Sequence, residues 1–176
     1  MARSKPPRKA YRPAGVNVHA HLMAMQGAAK LTLDDRIAWQ SNLADALAAV
    51  RTGQALQPQW ATLFDAINVV EELVRMRLAR DEHDVVGRAQ AAVCAVLDRL
   101  QATGVRAARA DELRALGDLV SAFADLMAGI THAQRFEADH RVVTRVRRVL
   151  ADKPEPGVRV IDAAALPTTH ARATTR

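Results

Sequence analysis

Three arginines near the C-terminal end of the chain have a spacing that could bind a ligand. Arg141, Arg145 and Arg148 lie at positions i, i+4 and i+7, so a helix would carry them in one row. A guanidinium group can donate two parallel hydrogen bonds to a phosphate or a carboxylate. The row therefore predicts contact with a nucleic-acid backbone or with an acidic protein surface. The alternative is an ordinary solvated face, in which Glu137 pairs with Arg141.

A second basic segment lies at the N-terminus. Residues 1–16 contain three prolines and five basic side chains and lack helical periodicity, which predicts a disordered or extended arm. Such an arm could follow a phosphate backbone, and Tyr11 could stack on an unpaired base. The predicted site for nucleic acid or an acidic partner comprises Arg8, Lys9, Tyr11, Arg12, Arg141, Arg145 and Arg148.

Two histidine patterns resemble metal ligands, but both are incomplete. Glu137 and His140 have the Glu-x-x-His spacing of half a di-iron site, which needs a second such motif and two further glutamates. The sequence has no second motif, and His140 falls beside an apolar stripe, which favours a packed, hydrogen-bonded histidine. His19 and His21 share a side only in an extended segment and have no third ligand nearby. We expect no metal site and no cofactor.

The other potentially reactive residues have structural explanations. Glu71 lies at the edge of an apolar helix face with Arg75 one turn later, which predicts a salt bridge rather than acid–base catalysis. Cys94 lies among alanines and valines and is predicted to be a small packed residue. No serine lies in a nucleophile elbow. We therefore expect a protein without catalytic activity.

The composition is that of one domain with tails. Half of the 176 residues are apolar, and the single cysteine excludes an intramolecular disulfide. No apolar run approaches about 20 residues, and no signal-peptide pattern follows the basic N-terminus. These features predict no contact with a membrane and a cytoplasmic location in a bacterial host cell. The net charge of +6 is unevenly placed, because residues 1–30 carry six basic and no acidic side chains whereas residues 31–130 carry ten basic and fourteen acidic ones.

Apolar residues recur at the helical period in five stretches, which predicts an all-α fold. We expect an antiparallel bundle of about five helices with basic, partly disordered terminal segments. The predicted helices span residues 33–51, 58–80, 83–102, 110–130 and 132–151. Thr32 with Asp35 is predicted to cap the first helix and Thr131 the last, although one unbroken helix over 110–150 also fits the pattern. The predicted organisation is an arm or strap at 1–30, the bundle at 31–152 and a tail at 153–176.

The helix at 58–80 is predicted to lie at the centre of this bundle. A surface helix needs an apolar stripe of only about 100°, whereas this one is apolar on all sides except a single arc. The polar arc carries Asp65, Asn68, Glu72 and Arg75. The apolar face predicted for the first helix comprises Leu33, Ile37, Leu43, Ala44, Leu47 and Val50. On the last helix, the side opposite the arginine row carries Phe136, Val143, Val146 and Leu150.

One family resemblance concerns the arm and the central helix. Residues 8–13, Arg-Lys-Ala-Tyr-Arg-Pro, are followed by Val-Asn-Val at 16–18 and Lys-Leu-Thr at 30–32. This arrangement resembles a class of small phage and prophage proteins that begin with a Lys/Arg-x-Tyr-Arg-Pro arm and continue as alanine-rich helices. The segment at 60–72 is similar in character to their corresponding helix. The resemblance implies a phage or mobile-element origin; it brings no assigned activity and no functional residues.

The sequence thus predicts a phage-type accessory binding protein that engages nucleic acid through its arm and the arginine row. The alternative is a protein–protein interaction module with no role at nucleic acid. Such a module could modulate a host enzyme or a defence complex, or form a homodimer, through an exposed apolar patch or a basic surface.

Overall fold

The computed structural model describes residues 25–81, 84–151, 161 and 166–168, and within them the regular structure is helical. One helical turn at residues 25–28 precedes five longer helices, which are α1 (Leu33–Arg51), α2 (Gln57–Arg75), α3 (Val85–Thr103), α4 (Ala110–Gly129) and α5 (His132–Leu150). The predicted all-α bundle is confirmed. Four of the predicted helices agree with these bounds to within two residues, whereas α2 ends five residues earlier than expected. The helix stops there because Arg77 takes up a left-handed conformation, with φ of 59°.

The central position of α2 is confirmed, because it packs against each of the other four helices. Its side chains supply much of the core, in which Trp60 and Phe64 stack with their ring centroids 6.2 Å apart. The largest fully buried side chains come from four of the helices and are Trp60, Leu63, Leu73, Leu116, Leu119, Met127, Val50, Val69, Val93 and Val96. Leu166, in the predicted tail, is also buried, and the Pro167 carbonyl accepts a hydrogen bond from Gln57 N at the start of α2. Residues 166–168 of the predicted tail therefore contact the helical bundle.

The orientation of α1 differs from the predicted one. Leu43 and Val50 are buried as expected, but Leu33 and Ile37 are exposed, and Ala46 takes the buried position expected of Ala44. The apolar residues of α1 are spread around the helix, so their periodicity does not select one face. Trp39 packs against the core, and this contact determines which face of α1 is buried. Leu33 and Ile37, in the first two turns of α1, therefore face solvent.

The helix boundaries follow local capping interactions. The Thr32 hydroxyl accepts a hydrogen bond from Asp35 N at 3.1 Å and donates one to the Asp35 carboxylate at 2.6 Å. Residues 110–150 form two helices rather than one, because Thr131 caps α5. Its hydroxyl accepts from Gln134 N at 3.3 Å, while Thr131 N donates to the Gln134 side chain at 2.9 Å.

The break at Thr131 sends α5 away from α4, and α5 makes its main helix contact with α2. Residues 29–31 hold the start of α5 from the other side. Lys30 and Thr131 form an isolated antiparallel bridge, and His132 N donates to the Ala29 carbonyl at 3.0 Å. The last helix is therefore fixed at its N-terminal end and lies along α2.

Candidate functional site

The helix α5, which carries the predicted arginine row, faces α2 with Ala138 and Arg145 and not with its large exposed apolar residues. Ala138 is fully buried, and Arg145, seven residues later, is only 8% exposed. Because seven residues return a helix to nearly the same face, these two side chains define the buried side of α5. Sequence reasoning placed the arginines in solvent, and for Arg145 this prediction is wrong.

Two adjacent carboxylates on α2 account for the burial of Arg145. Its Nη1 lies 3.1 Å from Glu71 Oε2, and its Nη2 lies 3.1 Å from Glu72 Oε1. Glu72, which the sequence placed in the polar arc of the central helix, is only 5% exposed. A buried carboxylate without a counter-ion is costly, so the pairing with Arg145 compensates its desolvation. Glu71 also accepts from Arg75 Nη2 at 2.8 Å, which confirms the predicted i, i+4 salt bridge.

The other two arginines of the row remain at the surface, around an open cavity between α2 and α5. Arg141 and Arg148 are exposed, and Arg141 Nε pairs with Glu137 at 2.7 Å, as the alternative interpretation predicted. The cavity has a volume of about 320 Å³ and is lined by Glu72, Arg75, Arg141, Thr144, Arg145 and Arg148. We call this set the arginine cluster. Arg75 was not predicted to belong to it, because its contribution depends on how α2 and α5 pack.

The opposite side of α5 is apolar and exposed, although its residues resemble those of a buried helix face. Phe136 is 73% exposed and Leu150 68%, and Val143 and Val146 are also exposed. Phe136, Val143 and Leu150 follow each other at intervals of seven residues, and Val146 lies beside them. We call these four side chains the outer stripe. A sequence signal for this orientation did exist: an acidic pair inside an otherwise apolar helix needs a basic partner.

An apolar groove lies between α2, α3 and α5, and Val146 and Leu150 of the outer stripe form part of its wall. It has a volume of about 480 Å³, and its wall includes Ile67 of α2, Cys94 of α3 and Val149 of α5, together with Ile161 from the C-terminal part of the chain. Cys94 is half-buried in this wall, among apolar neighbours. Among the described residues that line the groove, the charged ones are Glu71 and Arg145, which are paired to each other.

A further charged group joins α5 to α1. The Arg135 guanidinium lies over the Trp39 ring, 5.3 Å from its centroid, and pairs with Asp139 on its own helix. Partial burial of their carboxyl groups raises the pKa of both Asp139 and Asp65, against the opposing effect of the Arg135 charge. Sequence reasoning missed this group because Trp39 and Arg135 are nearly a hundred residues apart.

The patterns with metal-ligand spacing are not brought together. His140 is exposed, so the prediction of a packed histidine is wrong, and Glu137 is paired with Arg141. Within the described ranges, no three His, Cys, Asp or Glu residues are grouped so that they could hold a metal ion. His19 and His21 lie outside the described residues, as do the predicted arm residues Arg8, Lys9, Tyr11 and Arg12.

Comparison with known protein families, with curated proteins and with solved structures finds no match to this chain. None of the helices in the described part of the chain has the length and apolarity needed to cross a membrane. Function is therefore inferred from α5 and the helices that hold it.

Proposed function

We propose that this protein is a non-catalytic binding protein that engages the phosphate backbone of nucleic acid through the arginine cluster. The observation that carries the proposal is the joining of Arg75 from α2 to Arg141 and Arg148 from α5 around one open cavity. Three guanidinium groups from two packed helices then face the same volume of solvent. Arg75 is paired with Glu71 and Arg141 with Glu137, so a phosphate would share these guanidinium groups, each of which has five N–H donors, with the carboxylates.

The spacing of the exposed arginines suits a repeating anion. Arg141 and Arg148 are seven residues apart, which is about 10.5 Å along a helix. Two phosphates about 10.5 Å apart in space could therefore be bound at the same time.

Arg145 has a different role in this proposal. It is held between Glu71 and Glu72 beneath the two exposed arginines, so it fixes the position of α5 on α2. The basic character of the surface comes from the second half of α5, because residues 141–150 contain four arginines and no acid. We propose that the predicted arm residues Arg8, Lys9, Tyr11 and Arg12 extend the same contact along the nucleic acid.

The proposal is tested by fluorescence anisotropy with labelled oligonucleotides, single-stranded and duplex, of equal length. The test variant combines Arg141→Ala with Arg148→Ala. The control combines Arg51→Ala with Arg114→Ala, which removes the same charge from exposed positions on α1 and α4. If each lost arginine contacts one phosphate, the test variant loses roughly tenfold or more in affinity and its salt slope falls by about two, whereas the control changes little. Equal loss in the two variants would contradict the proposal.

A second candidate function is a protein–protein interaction module, and the outer stripe is the observation that favours it. Exposed apolar side chains on one helix face are typical of a protein-binding surface and have no use at a phosphate backbone. Charged residues around this stripe would then select the partner.

A further inference from the structure

The outer stripe concentrates exposed apolar surface on one helix. Four of the nine large apolar side chains that are exposed among the described residues lie on it. At 100° per residue, the outermost sector of α5, opposite Ala138 and Arg145, carries Phe136, His140, Val143, Arg147 and Leu150. This face is thus a continuous strip of apolar and basic side chains along the whole helix.

We propose that the outer stripe binds a second copy of this chain, with the two α5 helices antiparallel and a two-fold axis at Val143. The inference goes beyond nucleic-acid binding, since it uses the other side of α5, and it gives the second candidate function a defined partner. Two kinds of complementarity support this arrangement over others, one of shape and one of charge.

The first kind lies in the spacing of the apolar residues. Phe136 is seven residues before Val143, and Leu150 is seven residues after it. A two-fold axis at Val143 therefore stacks Val143 on its own equivalent and brings each Phe136 level with Leu150 of the other copy. Intervals of seven residues keep such contacts in one seam between two helices. A surface that is complementary to itself in this way is what a symmetric dimer requires.

The second kind lies in the charges. Of the charged residues of α5, Arg147 lies on the outer face and Asp139 flanks it, whereas Arg141, Arg145 and Arg148 line the cavity on the other side of the helix. Asp139 is paired with Arg135 of its own helix, and its side chain is still 47% exposed. Asp139 and Arg147 are both four residues from Val143, so the axis brings Asp139 level with Arg147 of the second copy. A parallel arrangement would instead place Arg147 beside its own equivalent, which is unfavourable.

The interface formed by one helix from each copy is small, so we expect a weak, reversible dimer. Sedimentation velocity between about 5 µM and about 500 µM should show the average mass rising with concentration. A chain that stays monomeric over this range would overturn the inference.

Oxidative cross-linking tests the antiparallel geometry directly. Each test cysteine is introduced in a Cys94→Ser background, which also serves as the control without cross-links. Val143→Cys lies on the proposed axis and should form an intermolecular disulfide readily. Phe136→Cys should not, because its two copies would be about 21 Å apart along the helix axes. Cross-linking of Phe136→Cys at the same rate would contradict the antiparallel arrangement.

Charge substitutions separate this dimer from other uses of the same face. Val143→Glu places two like charges together on the axis and should weaken dimerisation roughly tenfold or more. Ile37→Glu is the matched control, because Ile37 on α1 is 53% exposed and Val143 is 47% exposed. Arg147→Glu should weaken the dimer, and adding Asp139→Arg should restore it. A dimer whose dissociation constant Val143→Glu leaves unchanged, or that Asp139→Arg does not restore in the Arg147→Glu background, would contradict the proposed arrangement.

Discussion

Arg145 shows why single residues on this surface have unequal roles. It shares a row with Arg141 and Arg148, yet its guanidinium lies between two carboxylates of another helix. Its exposed neighbours Arg141 and Arg148 border the open cavity, whereas Arg145 compensates the charge of the buried Glu72. The same residue type, one turn apart, thus serves packing at one position and, in the function that we propose, ligand binding at the next.

The substitution Arg145→Ala should destabilise the protein by about 3–5 kcal/mol, because it leaves Glu72 buried without a counter-ion. Urea unfolding at neutral pH measures this change in free energy. Arg148→Ala, one turn later and exposed, is the control and should change stability by less than about 0.5 kcal/mol. Combining Arg145→Met with Glu72→Leu should recover much of the loss, since an apolar pair leaves no buried charge. Equal effects of Arg145→Ala and Arg148→Ala would show that the ion pair is not formed.

A second buried ion pair makes stability depend on pH. Arg99 donates to both oxygens of Glu112, at 2.7 Å and 2.6 Å, and Glu112 also accepts from Arg109 N. The bond from Arg99 lowers the pKa of Glu112 below its ordinary value, more than burial raises it. Arg99 also donates to the Ala107 carbonyl, so the pair fastens the connection between α3 and α4.

Because folding lowers the pKa of Glu112, its contribution to stability is present above the unfolded value, about 4.3, and is lost as the pH falls through the folded value. Glu112→Gln should therefore cost about 2 kcal/mol at pH 7, and the difference from wild type should shrink below about pH 4. Urea unfolding across this range provides the measurement. A difference that stays constant with pH would contradict the assignment.

Asp65 provides the opposite sign within the same molecule. Partial desolvation of its carboxyl group raises the pKa of Asp65, although the residue as a whole is exposed, so its protonated form contributes a small stability that is present below the unfolded pKa and is lost as the pH rises through the folded one. The variant Asp65→Asn should therefore gain stability relative to wild type between about pH 3 and about pH 7, which is the reverse of Glu112→Gln. Urea unfolding of the two variants over the same pH range provides the measurement. If the stability differences of Asp65→Asn and Glu112→Gln from wild type changed with pH in the same direction, the assigned pKa shifts would be contradicted.

At the scale of residues, the sequence revealed partners that are close along the chain. Glu71 with Arg75, Glu137 with Arg141, and Thr131 with Gln134 all lie three or four residues apart, where helical spacing alone brings them together. Arg145 could not be assigned in this way, because its partners are more than seventy residues earlier. Its burial depends on which face of α5 meets α2, and helix periodicity does not determine that.

At the scale of elements, the bounds of the helices were predictable and their orientations were less so. Caps and helix-ending residues act over a few positions, so the start and end of α1, α3, α4 and α5 follow from local sequence. The orientation of α5 follows from competition between two faces. The outer stripe is the more apolar face, but burying it would leave Glu72 without Arg145. In α1, the orientation that packs the large Trp39 side chain against the core leaves Leu33 and Ile37 exposed.

The start of α5 is the element boundary with the clearest test. Thr131→Ala removes the hydroxyl that accepts from Gln134 N and should cost about 1 kcal/mol in the free energy of unfolding. Loss of the cap should also raise hydrogen exchange in the first turn of α5 relative to its middle. Thr103→Ala, which removes a hydroxyl bonded to a carbonyl near the C-terminal end of α3, is the control and should have a smaller effect. If the amide hydrogens in the first turn of α5 exchanged as slowly in Thr131→Ala as in wild type, the capping role of Thr131 would be contradicted.

At the scale of the whole molecule, α2 is a scaffold and α5 is the helix that we propose binds ligands. Four helices surround α2, and one of them, α5, presents arginines on one side and the outer stripe on the other. Charge is separated accordingly, since α4 carries four acids and one arginine while α5 carries five arginines and two acids. An antiparallel dimer through the outer stripe would leave one arginine cluster accessible on each copy.

The central claim is that the arginine side of α5 binds nucleic acid through its phosphates. The most direct measurement is the dependence of the oligonucleotide dissociation constant on salt, between about 50 mM and about 300 mM, for wild type and for the Arg141→Ala, Arg148→Ala variant. The account predicts that wild-type affinity falls steeply with salt and that the variant binds more weakly with a shallower slope. Wild-type binding that is undetectable, or unchanged over this range, would contradict it.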